Sequence, residues 1–90
     1  MGNEAKPVTE EESRNMEEAQ LQAIDTEQLA ALDLPNTCSS GHGHCGNGMC
    51  YVCCNGTWYR LVNQNDQQYT CQQGRGMFYN CGGNRYAATC

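Results

Sequence analysis

Ninety residues, 39% hydrophobic and 8% aromatic, with a formal net charge of -5, bound this protein to at most one small folded domain with a modest core. No stretch approaches the roughly 18 consecutive apolar residues of a membrane-spanning helix, and the acidic N-terminal region lacks the apolar run of a signal peptide. The chain therefore reads as soluble, with any secretion signal already removed.

The charge is unevenly divided. Residues 1–37 carry nine acids against Lys6 and Arg14, whereas residues 38–90 carry Arg60, Arg75 and Arg85 against Asp66 alone. All eight cysteines and every Trp, Tyr and Phe also fall in the second part. Composition thus divides the chain into an acidic leader-like or prosegment-like region, 1–37, and a cysteine-rich domain, 38–90.

In the first region, Thr9 with Glu12 and Asp25 with Gln28 have capping-box spacing, in which a side-chain oxygen accepts from a first-turn amide and the later residue reciprocates. This spacing predicts two short helices, about 10–23 and 26–33. Their apolar residues are sparse, and isolated helices of this length are marginal in water, so the segment is expected to be partly helical or disordered. With no cysteine and few apolar side chains, residues 1 to about 35 are expected to be dispensable for the fold. Leu34-Pro35-Asn36 then stops the second helix and supplies an extended, accessible linker, the natural place for processing although no dibasic site marks it.

The cysteines are Cys38, Cys45, Cys50, Cys53, Cys54, Cys71, Cys81 and Cys90. A chain of about fifty residues buries too little apolar surface to offset its conformational entropy, and each crosslink removes on the order of 2–4 kcal/mol of unfolded-state freedom. This density marks a disulfide scaffold, and such bonds persist in an oxidising compartment, which points to secretion. Ser39–Gly48 shows no periodic pattern. Met49–Cys54 and Thr57–Val62 read as strands flanking Asn55-Gly56, the strongest short hairpin signal because both residues tolerate positive φ. Gln68–Gln72 reads as a third strand and Met77–Asn80 as a fourth, before a Gly82-Gly83 turn. The expected fold is small, disulfide-rich and mainly β, made of short antiparallel hairpins behind a partly helical or disordered N-terminal segment.

Cys38, Cys45, the adjacent Cys53-Cys54, Cys71 and Cys81 resemble the opening of inhibitor-knot (knottin) toxins and of small cysteine-rich secreted effectors. That resemblance implies the pairs Cys38–Cys54, Cys45–Cys71 and Cys53–Cys81, leaving Cys50 with Cys90. An acidic leader before a slightly basic cysteine-rich domain is likewise similar to the precursors of venom peptides and defensins, which implies a toxin, effector or antimicrobial protein with a removable propeptide. Tyr69 to Gly74, Phe78 and the closing Cys90 are similar to the Cys, Gly, aromatic, Cys progression of invertebrate chitin-binding domains, which implies an alternative as a carbohydrate-binding domain with stacking on Trp58, Tyr59 or Tyr79.

Metal binding is the rival chemistry. His42, His44, Cys45, Cys50, Cys53 and Cys54 are soft or imidazole ligands, and Cys50-Tyr51-Val52-Cys53 has the spacing that lets two thiolates face one zinc ion. Disulfides remain the leading reading, with no metal or other cofactor, and copper or nickel capture by Gly41-His42-Gly43-His44 is a weaker variant. Asp66 is the sole carboxylate after Cys38, so a paired-acid site is missing from that domain and no enzymatic activity is expected. Three arginines make a weak phosphate footprint, which argues against nucleic acid.

Binding remains. Aromatic rings beside arginine are enriched in recognition hot spots, which singles out Trp58, Tyr59, Arg60, Arg75, Tyr79 and Arg85 as candidate contacts to an external protein or cell-surface target, made by a monomer. In a strand, Trp58 and Arg60 share one face and Tyr59 the other, so one of the two aromatics is expected in the core. Asn55-Gly56-Thr57 is also an N-glycosylation sequon.

Overall fold

The computed structural model describes residues 3–70 and 76–88. Its elements run β1 (Asn3–Pro7), α1 (Glu10–Ser13), β2 (Glu17–Glu18), β3 (Gln20–Ala23), α2 (Thr26–Ala31), β4 (His42–Gly46), β5 (Met49–Cys54), β6 (Thr57–Val62), β7 (Met77–Cys81) and β8 (Asn84–Ala88). The protein is mainly β, built of short hairpins, as composition and turn signals predict. Three two-residue turns set its registers. Asn55 (φ 52°) and Gly56 (φ 86°) join β5 to β6, and Gly82 (φ 57°) and Gly83 (φ 86°) join β7 to β8. Positive φ at both central residues matches the right-handed twist of the flanking strands. Asn47 (φ 54°) and Gly48 (φ 78°) make the same turn between β4 and β5, a hairpin inside the stretch that shows no sequence period. Of the strand expected at Gln68–Gln72, Gln68 and Thr70 form isolated bridges to Val62 and Met49, while Cys71 and Gln72 lie outside the described residues.

The strands make two sheets. One contains β4-β5-β6-β3 and the other β2-β7-β8, and β1 spans both: Asn3 and Glu4 pair with β4, while Ala5 to Pro7 pair with β8. The continuous order β2-β7-β8-β1-β4-β5-β6-β3 begins and ends on strands separated only by Ala19. Both seams between the sheets are therefore crossed by the N-terminal chain, which pairs β1 with β4 and β8, β2 with β7 and β3 with β6 and so covers edges that would otherwise stand open. Pairing is antiparallel except between β2 and β7.

This arrangement corrects the reading of residues 1–37. The helix expected over 10–23 lasts one turn. Its capping box forms as expected, with the Glu12 amide donating to Thr9 Oγ1 at 3.1 Å and the Thr9 amide donating to Glu12 Oε1 at 3.0 Å. Beyond it the chain extends, because sheet edges at β7 and β6 supply backbone partners and the seam takes Ala19 at 3% exposure. The second helix is realised as α2, where Asp25 accepts from the Gln28 amide at 2.8 Å. Gln28 does not reciprocate; its Oε1 accepts from Arg60 Nη2 at 2.6 Å. The composition boundary at residue 37 is thus no boundary in the sheet, since β1, β2 and β3 all pair with strands from residues 38–90.

Two cores follow from the alternation of β5. Cys50, Val52 and Cys54 point between the sheets, where they pack with Ala5, Ala19, Leu61, Met77, Tyr79 and Cys81. Tyr51 and Cys53 point outward and would meet water, but Ile24, Leu29, Leu32, Leu34 and Cys38 cover them together with Trp58. Burial on both faces explains why β5 reads as an unbroken apolar run. The same alternation decides the disulfides. Cys53 bonds Cys38, strapping the segment after α2 onto the outer face, and Cys54 bonds Cys81, stapling one sheet to the other. The pairs Cys38–Cys54 and Cys53–Cys81 implied by the knottin resemblance are exchanged, because consecutive strand residues face opposite ways and each partner lies on one side only. Cys45 is also disulfide-bonded, while Cys71 and Cys90 lie outside the described residues.

Leu29→Ala should cost about 2–4 kcal/mol by opening a cavity over Trp58, read as a lower denaturation midpoint and red-shifted Trp58 fluorescence. An unchanged midpoint would show that α2 contributes nothing to the outer core. Peptide mapping should recover Cys38–Cys53 and Cys54–Cys81, whose sequence separations of 15 and 27 correspond to about 3 and about 3.5 kcal/mol of loop-closure stabilisation. Replacing both members of a pair with Ser should therefore be costlier for Cys54–Cys81.

Candidate functional site

The aromatic and arginine residues singled out in the sequence are not brought together. Trp58 is buried on the outer face of β6, with its indole N–H donating to the Pro35 carbonyl at 3.1 Å. The linker expected at Leu34-Pro35-Asn36 is thus packed down at its start. Arg60 shares that face, half-buried and held by Gln28. Tyr59 points the other way and packs on the core between the sheets, which bears out the face assignment; both aromatics serve packing. Tyr79, chosen as a surface anchor, is fully buried and stacks on Tyr86 at 5.7 Å, so it is not a contact residue. Arg85 is half-buried on β8, and Arg75 lies outside the described residues. Nor is the first hairpin a free surface. Strand β3 pairs along β6 from Tyr59 to Val62, and α2 covers the face of Trp58.

The zinc reading of Cys50-Tyr51-Val52-Cys53 meets the same geometry. Cys50 faces the space between the sheets and Cys53 faces α2, so the two sulfurs diverge and one ion cannot bind both. Cys45, Cys53 and Cys54 are held in disulfides. Among the described residues no group of three or more His, Cys, Asp and Glu side chains converges on one point. His42 is exposed on β4, and His44 is half-buried beside Tyr51, with ring centroids 6.3 Å apart. Gly46 packs closely beneath this ring: a Cβ there would stand 2.9 Å from His44 Nε2 and 3.1 Å from Leu32 Cδ2, so both side chains would have to shift.

A concave surface does occur at the other end of β6. Glu17 and Glu18 of β2, Asn63, Gln64 and Asn65 of the following loop, and Tyr69 line an open cleft of about 460 Å³. The loop is built by Asn63. Its Oδ1 accepts from the amides of Asn65 at 2.8 Å and Gln67 at 3.0 Å, its Nδ2 donates to Gln67 Oε1 at 3.1 Å, and its carbonyl accepts from the Asp66 amide at 3.0 Å. The Tyr69 amide then donates to the Leu61 carbonyl at 2.9 Å, returning the chain to the sheet.

Across the cleft, Tyr69 donates its phenol to Glu17 Oε2 at 3.1 Å, and Asn80 Nδ2 donates to Glu18 Oε2 at 2.8 Å. Both glutamates are thereby oriented while remaining exposed. The lining carries two carboxylates, three amides and one aromatic ring, with no basic side chain, so it favours a ligand rich in hydrogen-bond donors or positive charge. Sequence reasoning missed this site because its two acids lie in the expected helix and its amides in a loop. The one available signal was the polar run Asn63–Gln68 between apolar strands.

No protein-family model, curated protein or solved structure matches the chain.

Burial and the hydrogen bond to the Glu17 carboxylate push the Tyr69 phenol above the ordinary tyrosine range, and the deeper burial of Tyr79 beside Tyr86 pushes it further still. The neutral phenol is favoured in the folded state, so this stabilisation is fully present below the ordinary value of about 10 and is lost as pH rises through the folded-state values. Ultraviolet titration should show Tyr69 and Tyr79 ionising above the ordinary tyrosine range, with Tyr79 ionising only as the fold opens. Five tyrosines titrating together in the ordinary range would contradict this burial.

Proposed function

We infer that the protein is a secreted, disulfide-stabilised binding protein whose ligand lies in the cleft between β2 and the Asn63–Gln67 loop, without chemical turnover. Its disulfides suit an oxidising compartment, and no helix among the described residues is long and apolar enough to cross a membrane. The observation that carries the reading is the pair Glu17 and Glu18, oriented by Tyr69 and Asn80 on a stapled frame with no cation in the lining. Such an arrangement suits a lysine or arginine side chain presented by an external protein, and the net charge of -5 favours encounter with a basic partner. Activity of the effector, toxin or antimicrobial kind is the biological setting proposed for this binding. The Cys38–Cys53 and Cys54–Cys81 pairs lend no support to a knottin mode of action.

One observation favours a second reading as a carbohydrate-binding protein. Asn63, Gln64 and Asn65 beside the Tyr69 ring offer paired donors and acceptors for sugar hydroxyls next to an aromatic face. Two-dimensional NMR titration separates the two. An arginine-rich peptide should shift Glu17, Glu18, Asn65 and Tyr69, and E17Q/E18Q should weaken it about tenfold, or about 1.4 kcal/mol. Perturbation of the same residues by chitin oligomers alone would establish the sugar reading, and silence with both probes would remove the cleft as the site.

A further inference from the structure

The sequon Asn55-Gly56-Thr57 occupies the tip of the β5–β6 turn, at the opposite end of β6 from the cleft. Its three residues are exposed, and the neighbouring β7–β8 turn, Gly82-Gly83, is exposed as well. The two tips are held side by side because the residues just before them, Cys54 and Cys81, are bonded to each other. Asn55 Nδ2 lies 3.6 Å from where a side chain on Gly82 would begin, and a side chain on Gly83 would meet nothing within 4 Å. On that side both positions are glycine, and the Asn55 backbone amide is held by donation to Ser40 Oγ at 2.8 Å. The middle residue of the sequon is not proline, and the oxidising compartment that makes disulfides is the one in which asparagine is glycosylated.

We propose that Asn55 is an N-glycosylation site whose glycan lies over the paired turn tips. In that transfer, Asn55 Nδ2 forms a bond to the anomeric carbon of a lipid-pyrophosphate-linked oligosaccharide. The carbon–oxygen bond to phosphate breaks, the lipid pyrophosphate leaves with the electron pair, and the amide gives up one proton to the transferase. The six residues of β6 separate Asn55 from the cleft by about 20 Å, so the glycan leaves the proposed ligand site open. It covers the exposed turn tips beyond the buried Cys54–Cys81 staple instead. The proposal rests on the reading of the protein as secreted.

The test uses the full chain, directed into the secretory route of a eukaryotic host by an added leader. Intact mass and peptide mapping should show one glycan on Asn55, removed by an amidase that leaves aspartate. N55D and T57A should abolish it, and T57S should retain it at lower occupancy. N55D is the informative loss variant because aspartate also tolerates the positive φ of the turn. Secreted, fully oxidised protein with Asn55 unmodified would overturn the site and leave the secretion reading standing. Protein that reaches the medium reduced and unmodified would overturn both.

Discussion

Strand β5 has to present a cysteine to each side of its sheet at consecutive positions, and the architecture depends on that alternation. Cys53 and Cys54 cannot serve the same core, since neighbouring strand side chains project to opposite faces. Cys53 therefore recruits a layer on the outer face, delivered by α2 and closed by Cys38, while Cys54 fixes the second sheet through Cys81. One strand is buried on both faces, and each face is tied down by its own disulfide.

The acidic N-terminal region becomes structural through this constraint. Two sheets joined through Cys54–Cys81 leave two seams, and β1 and the β2–Ala19–β3 segment cross them. Their residues are poor sheet formers, Asn3-Glu4-Ala5-Lys6-Pro7 in one case and Glu17-Glu18 in the other. They are extended because backbone partners await them, and the charges of Lys6, Glu17 and Glu18 are exposed to solvent, where an uncharged edge would invite another chain. The same placement brings Glu17 and Glu18 opposite the Asn63 loop. A surface of potential use thus arises between segments more than forty residues apart, without any local motif.

The aromatic residues, by contrast, are mostly consumed by packing. Tyr51, Trp58, Phe78 and Tyr79 are buried, and Trp58 is anchored through its indole N–H to Pro35. A polar aromatic tip satisfied by a backbone carbonyl is how a core with few aliphatic side chains uses its largest rings. Recognition then falls to oriented carboxylates and amides.

By itself the sequence determined what depends on neighbours along the chain: the mainly β class, the Asn55-Gly56 and Gly82-Gly83 turns, the strands at Met49–Cys54 and Thr57–Val62, the capping box at Thr9 and the separation of Trp58 from Tyr59. Each follows from local φ preferences or from side-chain alternation. The Asn47-Gly48 turn carried the same signal, obscured by the glycines around it. Only the tertiary structure decided that residues 17–23 extend, that Cys38 bonds Cys53, that Tyr79 is interior and that Glu17 meets Tyr69. Those outcomes depend on sheet edges and faces supplied by distant residues, whose pairing energy exceeds the weak helical preference of a short acidic segment.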